Sequence, residues 1–413
     1  MRIKSIKAFW LADSELNKTV GVKIKTDKGE FFGSAPQGTS DGIYEAVAVP
    51  VDKAISNIQN IIPELMKLDP SDLKGLDGLL RKKGGKQMRM FGTNASVPLS
   101  SAWTKMSASA CGLATEEYLS KLLGTTPKMP VPSFNIINGG LHGAVDKNGN
   151  PYNPIQELML VPASASSFAE AYETAMKVFG NLRKVSGESL VGKEGGFSPA
   201  RPLKESIEFV RKAVVKSGFK TKDFRLALDS AASEFFSDGK YIPVSGGKPL
   251  DTDGMISFYK TLRKDSPIEI FLIEDPLDQD DFEGFAKAKK DLDALIIGDD
   301  LYVTQLDRVK KGFRLGSTGG TLIKINQNGT VSGTLDVVKF GLENGLVNMI
   351  SHRSKRAPND FINAYLSVAA GQMLKHGSSR GERVEAYNKL LEIERESKES
   401  GNGIPYAGKD FFS

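Results

Sequence analysis

Three acidic residues each follow a short run of apolar or small residues, a pattern that can bind a cation. They are Asp229, Glu274 and Asp299. One such acid alone commonly caps a helix or forms a turn. Three acids at the ends of neighbouring strands would repel one another unless a cation lay among them. Because no cluster of cysteine or histidine accompanies them, the oxygen ligands favour Mg²⁺ over zinc.

A lysine and a His-Arg-Ser triplet occupy two further strand-like segments. Lys324 interrupts an apolar run, and His352, Arg353 and Ser354 directly follow another. Such groups are costly to bury unless they converge on a ligand. Near a divalent cation the pKa of Lys324 should fall, so that it could act as a base; alternatively it could simply pair with one of the acids. A guanidinium and a hydroxyl suit a phosphate or a carboxylate, which makes Arg353 and Ser354 candidates for anion binding.

Alternating strand and helix patterns from Met129 onward must position these side chains. Nearly every candidate strand has a charged or hydrogen-bonding residue at or near one end. Such residues meet at one rim only if the strands close into a ring, as in a (β/α)₈ barrel, whereas an open sheet would concentrate function at one switch point. We therefore expect a barrel with its site at one rim. The candidate strands are Phe134–Ile137, Glu157–Val161, Leu226–Asp229, Ile270–Glu274, Leu295–Asp299, Leu322–Ile325 and Val347–Ile350.

The first part of the chain has a different pattern. Three alternating segments, which predict a meander of strands, precede residues with helical periodicity. The fold class is therefore α/β, with a C-terminal (β/α)₈-type barrel and an N-terminal α+β domain. We place the N-terminal capping domain at residues 1–122 and the barrel, with the active site, at residues 123–413.

Composition excludes several classes of protein. The 413 residues have a net charge of only +5, and no basic run interleaved with aromatic residues predicts nucleic-acid binding. No segment reaches the ~18 uncharged apolar residues of a membrane helix, and the charged N-terminus lacks the apolar core of a signal peptide. The single cysteine, Cys111, which we expect to be packed in a core, allows no internal disulfide. We therefore expect a cytoplasmic protein with no nucleic-acid or membrane partner.

Longer motifs, in order along the whole chain, resemble those of the enolase family. The segment Pro130–His142 is similar to the family motif P-V-P-x-x-N-x-x-N-G-G-x-H, and the segments around the three acids, Lys324 and His352 follow similar motifs. These are Leu226–Phe235, Ile273–Asp281, Gly298–Thr304, Leu322–Thr330 and Ser351–Ser354. The resemblance implies an enolase-type barrel and a lyase that dehydrates 2-phosphoglycerate to phosphoenolpyruvate, reversibly, in glycolysis and gluconeogenesis.

The resemblance also implies a role for each site residue. It makes Asp229, Glu274 and Asp299 the ligands of a first Mg²⁺ and Ser40 a ligand of a second. Lys324 would remove the proton next to the substrate carboxylate, in a scheme that is general for this superfamily. Glu194, with Glu157 beside it, would help hydroxide to leave. His142 and His352 would surround the leaving group, and Arg353 and Ser354 would bind the phosphate.

One departure from the family concerns a second active-site lysine, which follows Gly-Gln in the last barrel strand. Without gaps, this lysine aligns with Leu374, and Lys375 is one residue late. One step along a strand reverses the face, so Lys375 should point away from the site unless a bulge corrects it. Lys375, His376 and Gly377 do resemble the family's Lys-Thr-Gly, so an insertion with a compensating deletion is the alternative.

Other departures leave the substrate and the assembly open. Lys193, Lys355 and Arg356 make the rim more positive. Three explanations are open: compensation for a lost lysine, binding of a more anionic ligand, or surface change without a functional role. Besides a true enolase, two alternatives remain: a family enzyme retuned to another phosphorylated or carboxylated acid, and a weakly active paralogue. The expected partner is a small phosphorylated carboxylic acid. A homo-oligomer, dimer or higher, is also expected, although the stretch that supports subunit contacts in the family has changed.

Overall fold

Three antiparallel strands and four helices form the N-terminal part of the chain. The computed structural model describes residues 1–38, 43–187, 190–243 and 247–412. Alternate residues of the second strand, Val20, Val22 and Ile24, are buried in the core, as the alternating pattern predicts. Cys111, predicted to be packed, is exposed, because it follows the last turn of a helix. The elements are β1 (Ile3–Ala12), β2 (Lys18–Thr26), β3 (Glu30–Ser34), α1 (Val51–Leu65), α2 (Leu73–Gly84), α3 (Thr93–Ala110) and α4 (Thr115–Leu123).

The remaining strands close into a barrel of eight, apart from one separate hairpin. The prediction of a closed (β/α)₈-type barrel with an N-terminal α+β domain is confirmed, and the last barrel strand, Met373–Lys375, is the one that the pattern did not predict. The barrel strands are β4 (Val131–Asn138), β5 (Glu157–Pro162), β6 (Phe224–Asp229), β9 (Ile270–Glu274), β10 (Leu295–Gly298), β11 (Gly320–Ile323), β12 (Val347–Ser351) and β13 (Met373–Lys375). The hairpin is β7 (Phe236–Ser237) with β8 (Lys240–Tyr241).

Helices connect the barrel strands, and two more follow the last strand. They are α5 (Phe168–Ser186), α6 (Leu203–Lys216), α7 (Thr252–Asp265), α8 (Phe282–Asp291), α9 (Leu306–Leu315), α10 (Ile325–Asn328), α11 (Val331–Glu343), α12 (Ile362–Ala370), α13 (Val384–Glu399) and α14 (Gly408–Phe411). The order begins with two strands and then two helices; from β6 onward strands and helices alternate, apart from the β7–β8 hairpin and the helix pair α10 and α11. Within the described ranges, no helix is long and apolar enough to cross a membrane.

One barrel strand runs against the others. β5 is antiparallel to both β4 and β6, whereas the other neighbouring pairs are parallel. Since the parallel strands end at the rim where the site lies, β5 begins there, and its first residue, Glu157, pairs with the last residue of β6, Asp229. The chain must then return to this rim after β5. Helix α5 does so, and the loop that carries Glu194 follows it.

An apolar layer fills the barrel directly below the rim. One buried side chain or more comes from each strand, and these residues form their own cluster inside the barrel. Side chains two positions apart share a face of a strand. The residue two positions from each layer residue, in the direction of the rim, therefore also faces into the barrel. The layer consists of Val131, Met159, Val161, Ala227, Leu272, Ile297, Leu322, Met349 and Met373.

Candidate active site

Lys375 lies at the centre of the barrel rim, among the acids. Its Nζ donates to Oδ2 of Asp229 at 2.7 Å and to both carboxylate oxygens of Glu274 at 2.8 and 2.9 Å. Oε2 of Glu157 is 3.5 Å away. Burial alone would lower the pKa of Lys375, but these carboxylates outweigh it and hold that pKa well above its ordinary value. Lys375 is therefore a buried, permanently charged ammonium at the site.

The expectation that Lys375 points away from the site was wrong. Met373 belongs to the apolar layer, and Lys375, two residues later, shares its inward face. Leu374 is fully buried on the opposite face, in the main hydrophobic core. Strand β13 shows no register shift against β12 or β4, so no bulge is needed. The inward position of Lys375 favours the alternative alignment, in which an insertion and a compensating deletion match Lys375 with the family's lysine.

Lys324 and Asp299 form a second ion pair at the rim. The Lys324 ammonium donates to Oδ2 of Asp299, and Nε2 of Gln327 donates to Oδ1 at 2.9 Å. Burial would lower the pKa of Lys324, but the Asp299 carboxylate outweighs it and raises that pKa above the ordinary value. In this arrangement Lys324 is an acid, and it could become a base only when Asp299 is engaged elsewhere. Arg353 and Lys375 would then help burial to lower its pKa.

Two carboxylates and two histidines form a third group on the side of the cavity reached by α5. Nε2 of His352 lies 3.1 Å from Oε2 of Glu194, and Nδ1 of His142 lies 3.8 Å from Oε1 of Glu157. Ligand atoms of His142, Glu157 and Glu194 lie within 4.8 Å of one another. Glu194 has a φ of +63°, which is unusual for a residue other than glycine and is typical of strained functional sites.

The environments of Glu157 and Glu194 push their pKa values apart. Burial, and then the nearby Glu194 carboxylate, raise the pKa of Glu157 well above its ordinary value. Burial also opposes ionisation of Glu194, but the hydrogen bond with His352 and the charge on Arg383 hold its pKa well below the usual range. Burial lowers the pKa of His352 to about 4, so its ring is neutral at neutral pH. A protonated and an ionised carboxyl side by side are suited to acid catalysis.

Arg353 crosses from the barrel to the N-terminal part of the chain. Its Nη1 donates to Oε2 of Glu45 at 2.8 Å, and its Nη2 donates to Oε1 at 3.4 Å. The carbonyl of Ser354 accepts from Nη2 of Arg383 at 2.7 Å. Both Arg353 and Ser354 line the same cavity as Lys324 and Lys375. A guanidinium at the edge of a cavity can donate to an anionic ligand bound there.

The structure places nearly all the predicted site residues together. The cavity is lined by Glu157, Glu194, Asp229, Asp299, Lys324, His142, His352, Arg353 and Ser354. Glu274 lies behind Lys375, fully buried, and does not line the cavity. Ser40, predicted to bind a second metal ion, lies outside the described residues. Lys193, Lys355 and Arg356 are not among the residues that line this cavity, and with Lys375 in place no lost charge needs compensation.

Sequence reasoning missed four acids that line the cavity, Glu45, Glu234, Asp275 and Asp300. Glu45 comes from the N-terminal part, and no motif or periodicity connects it with Arg353. Asp275 directly follows Glu274, so proximity to a predicted ligand was a usable signal. It accepts from the backbone N–H groups of Asp299 at 3.0 Å and Asp300 at 2.6 Å, and these contacts hold the end of β10 in place.

The residues present fit a divalent cation. Carboxylate oxygens of Asp275, Asp299 and Asp300 lie within 4.8 Å of one another, and an ammonium already binds between Asp229 and Glu274. Burial and Asp299 raise the pKa of Asp300 to about 7, and burial and Asp229 raise the pKa of Glu274. An excess of buried carboxylate oxygens, with no sulfur ligand, is the donor set of a hard cation.

The fold and the site together define a class of protein: a barrel enzyme whose rim combines an acid cluster for a cation, a lysine and a paired acid for proton transfer. Comparison with known families agrees. Residues 3–119 match the family model described as "Enolase, N-terminal domain", and residues 126–413 match "Enolase, C-terminal TIM barrel domain". The chain belongs to the enolase family, which makes it a lyase of the phosphopyruvate hydratase type, as predicted.

Curated relatives match over nearly the whole chain. The enolase of Methanococcus aeolicus is 37% identical over 436 residues, covering 99% of this chain and 97% of its own. That of Methanocaldococcus jannaschii is 36% identical, covering 99% and 98% respectively. The enolase of Methanothrix thermoacetophila is also 36% identical, with 99% of both chains covered. The domain boundary after residue 122 and the roles of single residues remain predictions.

Proposed function

We propose that this protein catalyses the reversible dehydration of 2-phosphoglycerate to phosphoenolpyruvate with Mg²⁺ as cofactor. One observation carries the proposal. Lys324 and the Glu157–Glu194–His352 group line one cavity together with two cations for anion binding, Lys375 and Arg353. Dehydration next to a carboxylate needs a base at one carbon and an acid for the departing hydroxyl at the next. Family membership supports the same reaction.

Asp229, Glu274 and Asp299 would hold the cation, which would replace the Lys375 ammonium between Asp229 and Glu274 and the Lys324 ammonium at Asp299. When bound, it would stabilise the extra negative charge that the substrate carboxylate acquires as the proton leaves. Magnesium is the proposed ion because the ligands are all oxygen atoms. Ser40 remains a proposed ligand of a second ion.

The residues of the chain divide the proton transfers between them. Once the cation engages Asp299, Lys324 would lose the partner that raises its pKa and could accept the proton next to the substrate carboxylate. Lys375 remains charged and can neutralise that carboxylate. On the other side, the Glu157–Glu194 pair holds a proton that the departing hydroxide can take up as it leaves as water. Arg353, oriented by Glu45, and Ser354 bind the phosphate.

The other proposals concern cofactor specificity, assembly and location. We propose that the protein acts in the cytoplasm as a homo-oligomer, dimer or higher, and that it binds neither nucleic acid nor membranes. The single cysteine and the absence of a basic surface run support the location and the lack of a nucleic-acid partner. The alternative of a retuned or weakly active family member has lost its main support, because Lys375 reaches the cavity.

The direct test is turnover. Purified protein with Mg²⁺ and 2-phosphoglycerate should generate the ultraviolet absorbance of phosphoenolpyruvate, and Lys324→Ala should abolish it. Turnover by the native protein no greater than that of Lys324→Ala would refute the proposal. Activity on a different phosphorylated acid, but not on 2-phosphoglycerate, would favour the retuned alternative.

A further inference from the structure

His376 lies directly behind the His352–Glu194 pair, and the proposed mechanism gives it no role. It follows Lys375, where the family motif has threonine. The side chain is fully buried, and its ring centroid is 5.6 Å from that of His352 at an interplanar angle of 32°. On its other side the ring meets the edge of Tyr387, with the centroids 6.2 Å apart.

Buried ring nitrogens of His376 and His352 lack direct hydrogen bonds. Among the described residues, neither ring nitrogen of His376 has a hydrogen-bond partner, and neither has Nδ1 of His352. Leaving such atoms unsatisfied costs about 1–3 kcal/mol each. Buried polar groups that are too far apart for direct bonds are commonly bridged by ordered water.

The contact with Glu194 decides which nitrogen of His352 needs a donor. An ionised carboxylate only accepts hydrogen bonds, so the Nε2 atom that faces Glu194 must carry the proton. The ring of His352 is neutral, which leaves Nδ1 as an acceptor. The aromatic ring in contact with His352 is that of His376. Burial, and then Arg356, lower the pKa of His376 well below its ordinary value, so His376 is also neutral and can donate from one nitrogen.

We propose that His376 is a positioning residue that donates a hydrogen bond, through one buried water, to Nδ1 of His352. This bond satisfies Nδ1 as an acceptor and so reinforces the tautomer that Glu194 selects, with the proton on Nε2. The proposal rests on the proposed function only for its effect on catalysis, since the assignment of the proton to Nε2 can be measured without substrate.

A rigid aromatic cluster holds His376 in place. The ring of Tyr387 lies 5.1 Å from that of Tyr172 and 5.2 Å from that of Phe134, and its hydroxyl donates to the carbonyl of Gly377 at 3.0 Å. The backbone N–H of His352 donates to the carbonyl of Lys375 at 3.1 Å, which fixes the spacing of the two histidines. A ring held on both sides in this way can orient its neighbour at little entropic cost.

The charged groups near the two histidines are Glu194, Arg356 and Arg383. Lys324, the proposed base, pairs with Asp299 and is not among them. Loss of His376 should therefore slow departure of the hydroxyl while sparing removal of the proton by Lys324. A residue that only supports the fold would affect both steps together.

Two variants separate the hydrogen bond from the packing. His376→Phe keeps a ring of similar shape but cannot donate, whereas His376→Gln loses the ring and keeps a donor. The chain has only three histidines, so ¹⁵N-histidine NMR spectra can be assigned with single variants. Two rates are then compared: exchange of the substrate's carbon-bound proton with solvent deuterium, and formation of product.

In the native protein we expect the signals of a neutral His352 with its proton on Nε2. His376→Phe should leave the proton on Nε2 but move the Nδ1 signal of His352 toward that of a nitrogen that accepts no hydrogen bond, and it should slow product formation about 10- to 100-fold, part of the ~10²–10⁴-fold that a positioned acid contributes, with exchange nearly unchanged. His376→Gln should resemble the native protein in both measurements. Unchanged His352 signals in His376→Phe, equal losses in exchange and elimination, or a His376→Gln variant as impaired as His376→Phe would each overturn the proposal. If the native protein neither exchanges nor dehydrates the substrate, the proposed function fails, and the NMR comparison alone decides the role of His376.

Discussion

At the scale of single residues, two adjacent side chains of β13 occupy opposite environments. Leu374 is packed among apolar side chains of the main core, whereas Lys375 is surrounded by carboxylates. Both are buried, so neither environment can accept the other side chain without a large cost in free energy. This contrast leads to one prediction for substitution of Lys375 and another for substitution of Leu374.

Lys375→Met should impair both activity and stability. Removing one partner of a buried ion pair leaves Asp229 and Glu274 uncompensated, which typically costs about 3–5 kcal/mol. Loss of one fixed charge at a reacting anion should lower kcat/KM by about 10²–10³-fold. Urea unfolding and steady-state kinetics measure the two effects. Lys398→Met is the matched control, because Lys398 is 57% exposed and pairs with Glu394 from the surface; an equally small effect of both changes would contradict the central role of Lys375.

Leu374→Lys should destabilise the protein by several kcal/mol and should not raise its activity. The new ammonium would lie in the apolar core with no carboxylate partner, whereas the ungapped alignment would make it a functional gain. Thermal unfolding and turnover test this directly. Leu315→Lys, at a position that is 42% exposed, is the control and should be nearly neutral. A more active Leu374→Lys variant would mean that β13 has a different register in solution.

At the scale of elements, the reversed strand β5 determines which side chains reach the rim. Because β5 begins at the rim, its first residue, Glu157, joins residues that end their strands. The same reversal makes α5 carry the chain back, so that the loop with Glu194 also lies there. Glu157 and Glu194 are therefore brought together by one feature of the topology.

Glu157→Gln should change how stability depends on pH. The pKa of Glu157 is raised above its ordinary value of 4.5, so the folded state binds its proton more tightly than the unfolded state does. The stability that this proton provides is complete below pH 4.5 and is lost as the pH rises toward the folded pKa.

The variant, which cannot ionise, should therefore gain stability relative to the native protein as the pH is raised from 4.5 to neutrality, while its activity falls. Denaturant unfolding across this pH range measures the effect. Glu173→Gln, an exposed change on α5, should show no such trend. A constant difference between the native protein and Glu157→Gln at all pH values would refute the raised pKa.

The sequence predicted more of the rim than of its connections. Runs ending in Asp229, Glu274 and Asp299 predicted acids at one rim because strands that close into a ring bring their ends together, and the structure places all three at the rim. Lys375 was misplaced because the alignment was anchored on Gly371 and Gln372, which precede the strand and do not determine its faces. Counting two residues from Met373, in the apolar layer, would have placed it correctly.

The sequence pattern could not predict the direction of a strand or the contacts between residues far apart in the chain. Alternation alone cannot distinguish a reversed β5 from a parallel one, since both orientations bury the same side chains. The pairing of Arg353 with Glu45 joins residues 308 positions apart, and neither residue has a local signal that identifies the other. Such contacts depend on how the N-terminal part lies over the barrel.

At the scale of the whole molecule, the cavity draws on both parts of the chain. Gly38 and Glu45 come from the N-terminal part, and the acids, lysines and histidines come from the barrel. A ligand bound in this cavity contacts the folded arrangement only, so its binding energy adds to the stability of the fold.

Mg²⁺ should therefore raise the midpoint of thermal unfolding, and a chelator should reverse the change. At a concentration 100 times the dissociation constant, linkage predicts about 2.7 kcal/mol of added stability. Differential scanning calorimetry with and without Mg²⁺ measures it. Asp299→Asn should reduce the shift, whereas Asp146→Asn, in a surface turn, should leave it unchanged. An equal shift in all three proteins would place the cation elsewhere.

The reversal of β5 also determines where the chain tolerates added sequence. The loop before β5 lies on the catalytic side of the barrel, and the short connection from Pro162 to Ser167 lies on the opposite side, where Ser164 is exposed. A reporter domain grafted after Ser164 would project away from the substrate entrance and should leave turnover intact. The same graft after Asn148 would stand beside the entrance and obstruct it, so this barrel offers protein engineers an attachment point on one side of β5 and a means of gating access on the other.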